Sequence, residues 1–208
     1  MLVCNNVTCE YNEFPVFAGL SFNAAAGSLI VLHGPNGSGK TSFLKMLAGI
    51  KKPADGEINW NERSLKESIK DGEVVINYIA HENAIKPDLT VLENIQFWTA
   101  LNGEDSRIDA AINYFDLARY ADTRCADLSK GWQKRVSLSR LITCPSDIWL
   151  LDEPYNNLDS SMSQLVDNLI SGHAKDGGLV VVSSHTHVPI DFAIKLNISD
   201  FAPSRVAA

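Results

Sequence analysis

Gly34-Pro35-Asn36-Gly37-Ser38-Gly39-Lys40-Thr41 is the stretch from which the rest of this chain is read. It has the form G-x-x-x-x-G-K-[ST], follows the apolar run Leu29-Ile30-Val31-Leu32, and leads into Phe43, Leu44 and Leu47 at helical spacing, with Gly49 as the stop. A buried strand, a glycine-rich loop and a helix in that order make a cradle for phosphate. The glycines let the backbone close in, its N-H groups point at the anion, and the helix N-terminus adds the positive end of its dipole. The pattern makes all eight residues candidate nucleotide-binding groups. Lys40 is placed to reach the β- and γ-phosphates of a nucleoside triphosphate, and the Thr41 hydroxyl to ligate Mg²⁺.

Further along, Asp147-Ile148-Trp149-Leu150-Leu151-Asp152-Glu153 is an apolar strand ending in two carboxylates. At the C-terminal edge of a parallel sheet, Asp152 would face the Mg²⁺ shell through water, and Glu153 would accept a proton from an attacking water. Alone, such a pair is an ordinary solvated strand end; the phosphate loop gives it a task. Met162, Leu165, Val166, Leu169 and Ile170 then repeat at helical spacing, and Gly177-Gly178 leads into the strand Leu179 to Val182. On the other side of the loop, Val3, Val7 and Val16 to Phe22 read as short strands, and Val74 to Ala80 as a core strand. Between about 88 and 145 the period turns helical. Thr90-x-x-Glu93 has the form of a capping box before Val91, Leu92, Ile95 and Trp98, and Ile108, Ala111, Ile112 and Phe115 follow. The expected fold is one α/β domain over residues 1–208, a parallel core with a helical insertion.

Composition narrows the class. The 208 residues are 45% hydrophobic and 21% charged, which fits a folded chain with a sizeable core. Eighteen Lys and Arg stand against 25 Asp and Glu, a formal charge of -7 with no basic stripe, so nucleic acid is not an expected partner. Cys4, Cys9, Cys125 and Cys144 are widely spaced, with no C-x-x-C pair, and read as reduced buried thiols in a reducing compartment. Met1 to Glu10 has neither the basic start nor the apolar stretch of a secretory signal, and no apolar run is long enough to span a bilayer. Work at a membrane would need another subunit.

Leu128-Ser129-Lys130-Gly131-Trp132-Gln133-Lys134-Arg135 precedes the acidic strand and opens a helix. Here the chain resembles the ABC ATPases, whose signature is L-S-G-G-Q; Lys130 stands in place of the first Gly and Trp132 in place of the Gln. By itself the stretch is a Ser N-cap. The resemblance implies a P-loop NTPase fold of the ABC type, with an N-terminal antiparallel β part. It also implies a head-to-tail homodimer in which Ser129, Lys130, Gly131 and Trp132 face the partner's ATP. By the same resemblance Asp159, in Asn157-Leu158-Asp159, looks like the D-loop, His185 like the switch histidine at the γ-phosphate, and Tyr11 like the aromatic that stacks on adenine, with Phe14 and Phe17 as nearby alternatives. His187 completes a His-x-His with His185 but has no further metal ligands close by in sequence.

His81 stands where the family has Gln, ahead of Ile85-Lys86 and Leu89-Thr90-Val91-Leu92-Glu93-Asn94. That departure is similar to the haem-exporter branch that serves cytochrome c maturation. It implies a peripheral place on the cytoplasmic face of a bacterial inner membrane and an integral membrane partner of the CcmB type. A neutral His81 imidazole would orient the lytic water or lie outside the Mg²⁺ shell; drift at a tolerated position is the plainer reading. Two other functions stay open: the ATPase of another small-substrate exporter, and a nucleotide-switched regulatory module without turnover, against which Glu153 and His185 speak.

Overall fold

In a computed structural model, which describes residues 1–102, 105–185 and 188–203, the chain opens with β1 (Leu2–Tyr11) and β2 (Phe14–Ala24). Both strands are much longer than the scattered valines suggest. They pair antiparallel across Asn12-Glu13, whose positive φ values of 50° and 67° are those a two-residue hairpin turn demands. Register shifts between Cys4 and Val7, and again between Val7 and Cys9, break the alternation of inward side chains, so the sequence shows only fragments of one long strand.

β3 (Leu29–His33) follows, then α1 (Lys40–Leu47), β4 (Asp55–Trp60), β5 (Arg63–Ser64), α2 (Leu65–Lys70) and β6 (Ile76–Ile79). β6 is shorter than the stretch Val74 to Ala80 because it is an edge strand, laddered only to its neighbour in the parallel sheet. Next come α3 (Val91–Asn102), α4 (Ile108–Tyr114), α5 (Lys130–Leu138) and α6 (Arg140–Thr143), with 3-10 turns at Ala118–Tyr120 and Cys125–Asp127. The chain then forms β7 (Ile148–Asp152), α7 (Ser160–Lys175), β8 (Leu179–Ser183) and β9 (Ile194–Asn197). One sheet has the order β2-β1-β4-β5 and the other, parallel, the order β6-β7-β8-β3-β9.

The central parallel strands are continuously apolar because both faces are covered. Ile30 and Leu32 of β3, Ile148 and Leu150 of β7, and Leu179 and Val181 of β8 point into one cluster with the antiparallel sheet and with Phe43, Leu44 and Leu47 of α1. The alternate residues, Leu29, Val31, Trp149, Leu151, Val180 and Val182, enter a second cluster with α7 and the helices that lie in chain order between β6 and β7. The two faces therefore clamp the sheet, and its C-terminal edge is left to carry chemistry.

Local chemistry fixes the helical stretch. At the start of α3 the Thr90 N-H donates to Glu93 Oε2 at 2.8 Å, and the Glu93 N-H donates back to Thr90 Oγ1 at 3.2 Å, a reciprocal cap of about 1 kcal/mol. Asn94, fully buried, accepts from the Lys86 N-H and donates to the carbonyls of Lys86, Leu89 and Thr90, so the loop after His81 is tied to α3. All four cysteines are buried and none forms a disulfide. Among the described residues no helix is long and apolar enough to cross a membrane.

Candidate active site

A cavity of about 670 Å³ opens at the C-terminal edge of the parallel sheet. It collects Asn36, Gly37, Gly39, Lys40 and Thr41 from the loop after β3, His81 from beyond β6, Asp152, Glu153 and Asn156 from β7 and its exit, and His185 from beyond β8. Residues 111 and more apart in sequence meet here because their strands end on one edge.

The loop is built to approach closely. A Cβ on Gly39, whose φ is 102°, would lie 2.7 Å from the Phe17 ring, so only glycine lets α1 start here. No side chain caps α1, which leaves its first N-H groups facing the cavity. Gly34, Pro35 and Ser38 do not line the cavity. Instead the Lys40 ammonium donates to the carbonyls of Gly34 at 2.7 Å and Pro35 at 3.1 Å. Burial lowers the Lys40 pKa from its ordinary value, and the nearby Glu153 and Asp152 carboxylates oppose that shift. Ser38 Oγ is buried without a protein partner, an orphaned hydroxyl inside the loop.

Asp152 is 1% exposed and fully engaged: Thr41 Oγ1 donates to one oxygen at 2.8 Å and Ser183 Oγ to the other at 2.6 Å. Ser183 also holds the next residue, because the Glu153 N-H donates to Ser183 Oγ at 3.0 Å and to its carbonyl at 3.2 Å. Glu153 is forced by this turn into the left-handed region at φ 49°, a conformation costing a non-glycine residue about 1–2 kcal/mol. One of its oxygens, Oε1, lies 3.1 Å from His185 Nε2. That contact is within ion-pair range yet not aligned as a hydrogen bond, so Oε1 remains an open acceptor. A hydroxyl and a carboxylate in contact are hard oxygen donors of the kind Mg²⁺ takes.

Tyr11 is 70% exposed and lines the cavity; Phe14 pairs with it across the hairpin. Phe17 is ruled out as an adenine platform: it is fully buried, edge-on to Phe43 with ring centres 6.0 Å apart. His187 lies outside the described residues. Among the described residues no group of three His, Cys, Asp or Glu could hold a metal ion.

Ser129, Lys130, Gly131 and Trp132 do not line this cavity; they form the start of α5. Ser129 is its N-cap and accepts from the Trp132 N-H at 3.5 Å. A Cβ on Gly131 would lie 2.7 Å from the Asn157 carbonyl, so glycine lets α5 abut the segment after Glu153. Gln133, next to Trp132, is turned toward its own chain. Its amide donates to the Cys125 and Leu128 carbonyls of its own chain. The Trp132 ring packs against Tyr120 and under the Arg135 guanidinium at 4.0 Å, and Arg135 donates to Asp159 Oδ2 at 3.0 Å. Asp159 is also the N-cap of α7, accepting from the Met162 N-H. The start of α5 and the N-cap of α7 are thus joined through one arginine.

Asn156, Ser183 and Lys134 are site residues that sequence reading missed. Asn156 lines the cavity, Ser183 secures both acids, and Lys134 of α5, 2% exposed, feels the charges of Asp152 and Glu153.

A phosphate loop, an acid pair at a strand end and a capped helix tied to the segment beyond those acids define an ATP-binding cassette. The ABC transporter family profile matches residues 17–156. The cytochrome c biogenesis ATP-binding export protein CcmA of Paramagnetospirillum magneticum is 40% identical over 202 residues, covering 95% of this chain and 93% of that protein. A bacterial ABC transporter cassette solved as a dimer has a TM-score of 0.81 at 25% identity, and its post-hydrolysis dimer bound to ADP and Pi has 0.78 at 26%; each match covers 95% of both chains. The chain belongs to the ABC transporter family and, within it, to the group of these CcmA relatives. It is an ATP-binding, ATP-hydrolysing transporter subunit.

Proposed function

We propose that this chain hydrolyses ATP as one half of a homodimer and that turnover drives haem handling in cytochrome c biogenesis, through an integral membrane subunit of the CcmB type at the cytoplasmic face of a bacterial inner membrane. The observation that carries the catalytic part is the meeting of Lys40, Thr41, Asp152, Glu153 and His185 around one cavity. The names of the CcmA relatives support the transport part.

In this reading Gly34 to Thr41 wrap the phosphates, and Lys40 turns from its loop carbonyls to the β- and γ-oxygens. Tyr11 stacks on the adenine. Thr41 and, through water, Asp152 would hold Mg²⁺, which would supply neutralisation of phosphate charge. Glu153 takes a proton from the attacking water at its open oxygen Oε1. His185, 3.1 Å from that oxygen, contacts the γ-phosphate, and His81 lies at the water side of the cavity. Ser129, Lys130, Gly131 and Trp132 meet the partner's nucleotide, and Asp159 sets the D-loop against them. Residues 88–145 act as a helical subdomain of a single cassette, and with the loop around His81 they face the membrane subunit.

The test is Glu153→Gln. Steady-state hydrolysis is expected to fall at least about a hundredfold while ATP binding persists and an ATP-bound dimer accumulates on gel filtration. Unchanged turnover would remove Glu153 from the reaction. Recovery of a CcmB-type subunit with this chain from its native membrane tests the transport part separately; an unrelated permease in its place points to another exporter.

A further inference from the structure

A second cavity, about 780 Å³, lies beside the first and shares His81 and Asn156 with it. Its wall contains Lys134, whose side chain is 2% exposed and which, among the described residues, has no hydrogen bond or ion pair. The contrast with Lys40 is direct, since that ammonium, nearly as buried, is satisfied by two carbonyls of its own loop. The Lys134 ammonium opens on the cavity with only the longer-range pull of Asp152 and Glu153 to balance it, so an anion bound there would supply the bonded partner it lacks. Asn83, which also lines this cavity, has an amide Oδ1 that is buried with no donor. Lys130 also lines the cavity and adds a second cation, beside one carboxylate from Glu82.

A ligand that satisfies both deficits must accept from an ammonium and donate to an amide oxygen. Hydrogen phosphate does both, with charged oxygens and a P-OH group. Sulfate at neutral pH offers only acceptors, and a carboxylate is likewise acceptor-only when ionised. Phosphate is also what the first cavity produces, and ADP left on the loop after β3 would close the way it came in. We infer that the second cavity is a waiting site for the orthophosphate released by hydrolysis, held by Lys134 and Asn83 and entered past His81 and Asn156. The source named for the phosphate rests on the hydrolytic reading above; the site itself rests on Lys134 and Asn83.

The test uses the full chain loaded with saturating ADP and Mg²⁺, with inorganic phosphate and sulfate as probes in calorimetric titration. Phosphate is expected to bind several-fold more tightly than sulfate. Lys134→Gln should weaken phosphate about tenfold or more, as loss of a charged hydrogen bond does, while Lys134→Arg retains it. Asn83→Leu should narrow the preference for phosphate over sulfate. ADP affinity, unchanged in the Lys134 and Asn83 variants, reports an intact fold; if Lys134→Gln fails to fold, the Asn83→Leu ratio decides alone. Phosphate affinity indifferent to both Lys134 and Asn83, or lost in Lys40→Ala and kept in Lys134→Gln, would overturn the inference, the latter by placing phosphate on the loop. Hydrolysis by the wild-type chain is assayed in parallel, so that absence of turnover counts against the catalytic reading and leaves the phosphate titration to stand or fall by itself.

Discussion

Two helices, α1 and α5, each carry one buried lysine within electrostatic reach of Asp152 and Glu153, yet they are finished differently. α1 begins at uncapped Gly39, and its Lys40 rests on the Gly34 and Pro35 carbonyls inside a cavity that its own chain supplies with acids. α5 begins at Ser129, a capped and exposed end, and its Lys134 has no bonded partner among the described residues. The first helix end belongs to a pocket that one chain completes. The second is presented outward, pinned from behind by Asn157 and by the Arg135 to Asp159 bridge, and it makes sense as a surface that something else completes.

The sharpest way to break this comparison is to strip the first helix end. Lys40→Ala should reduce hydrolysis by about a hundredfold or more, the scale of losing a group that meets developing phosphate charge. Tight ATP binding should go with it, while circular dichroism stays native. Undiminished affinity and turnover would mean that Lys40 is only a strut for the loop carbonyls.

Gly131→Ala addresses the second helix end with a smaller expected effect. The new Cβ would sit 2.7 Å from the Asn157 carbonyl, inside any contact that a backbone tolerates, so α5 or the segment after Glu153 must shift. Hydrolysis should fall about tenfold, as misplacement by a fraction of an ångström to an ångström does. The ATP affinity of the single chain, read by a fluorescent analogue, should stay within about twofold. If that affinity falls as far as in Lys40→Ala, the two helix ends serve one pocket and the distinction collapses.

The difference between the two ends also explains what sequence reveals. β3, β7 and β8 are legible because burial on both faces leaves unbroken apolar runs, and Gly34 to Thr41 because backbone approach to phosphate leaves few residue choices. Asp152 and Glu153 are legible once the loop is. Ser183 is not, since its hold on both acids depends on the register that pairs it with Asp152, which no local pattern encodes. β1 is hidden by its register shifts, β9 by an exposed edge that looks like a loop, and α2 by having too few residues to show a period. Lys134 is the hardest of all, because a lysine in an amphipathic helix reads as a solvated one; only packing puts it inside. Tyr11 could be placed beside the cavity by resemblance, but the exclusion of Phe17 needed its burial against Phe43.

Lys134 gives the smallest effect and the one most specific to the contrast between the lysines. Burial pushes its pKa down from 10.5 to about 8, against the pull of Asp152 and Glu153. Between about pH 8 and 10.5 the folded chain therefore binds fewer protons at this position than the unfolded chain, so its contribution to stability improves as pH rises through that window and is least favourable below it. Lys134→Met removes the buried charge and keeps most of the volume. It should stabilise the chain at pH 7 by on the order of 1–3 kcal/mol, and the gain should shrink as pH approaches 10. Urea unfolding of both proteins at pH 7 and pH 9.5 measures it. A variant less stable than wild type at pH 7 would show that the ammonium is well satisfied in the folded chain, which would make α5 as self-sufficient as α1 and remove the reason to look for a ligand beside it.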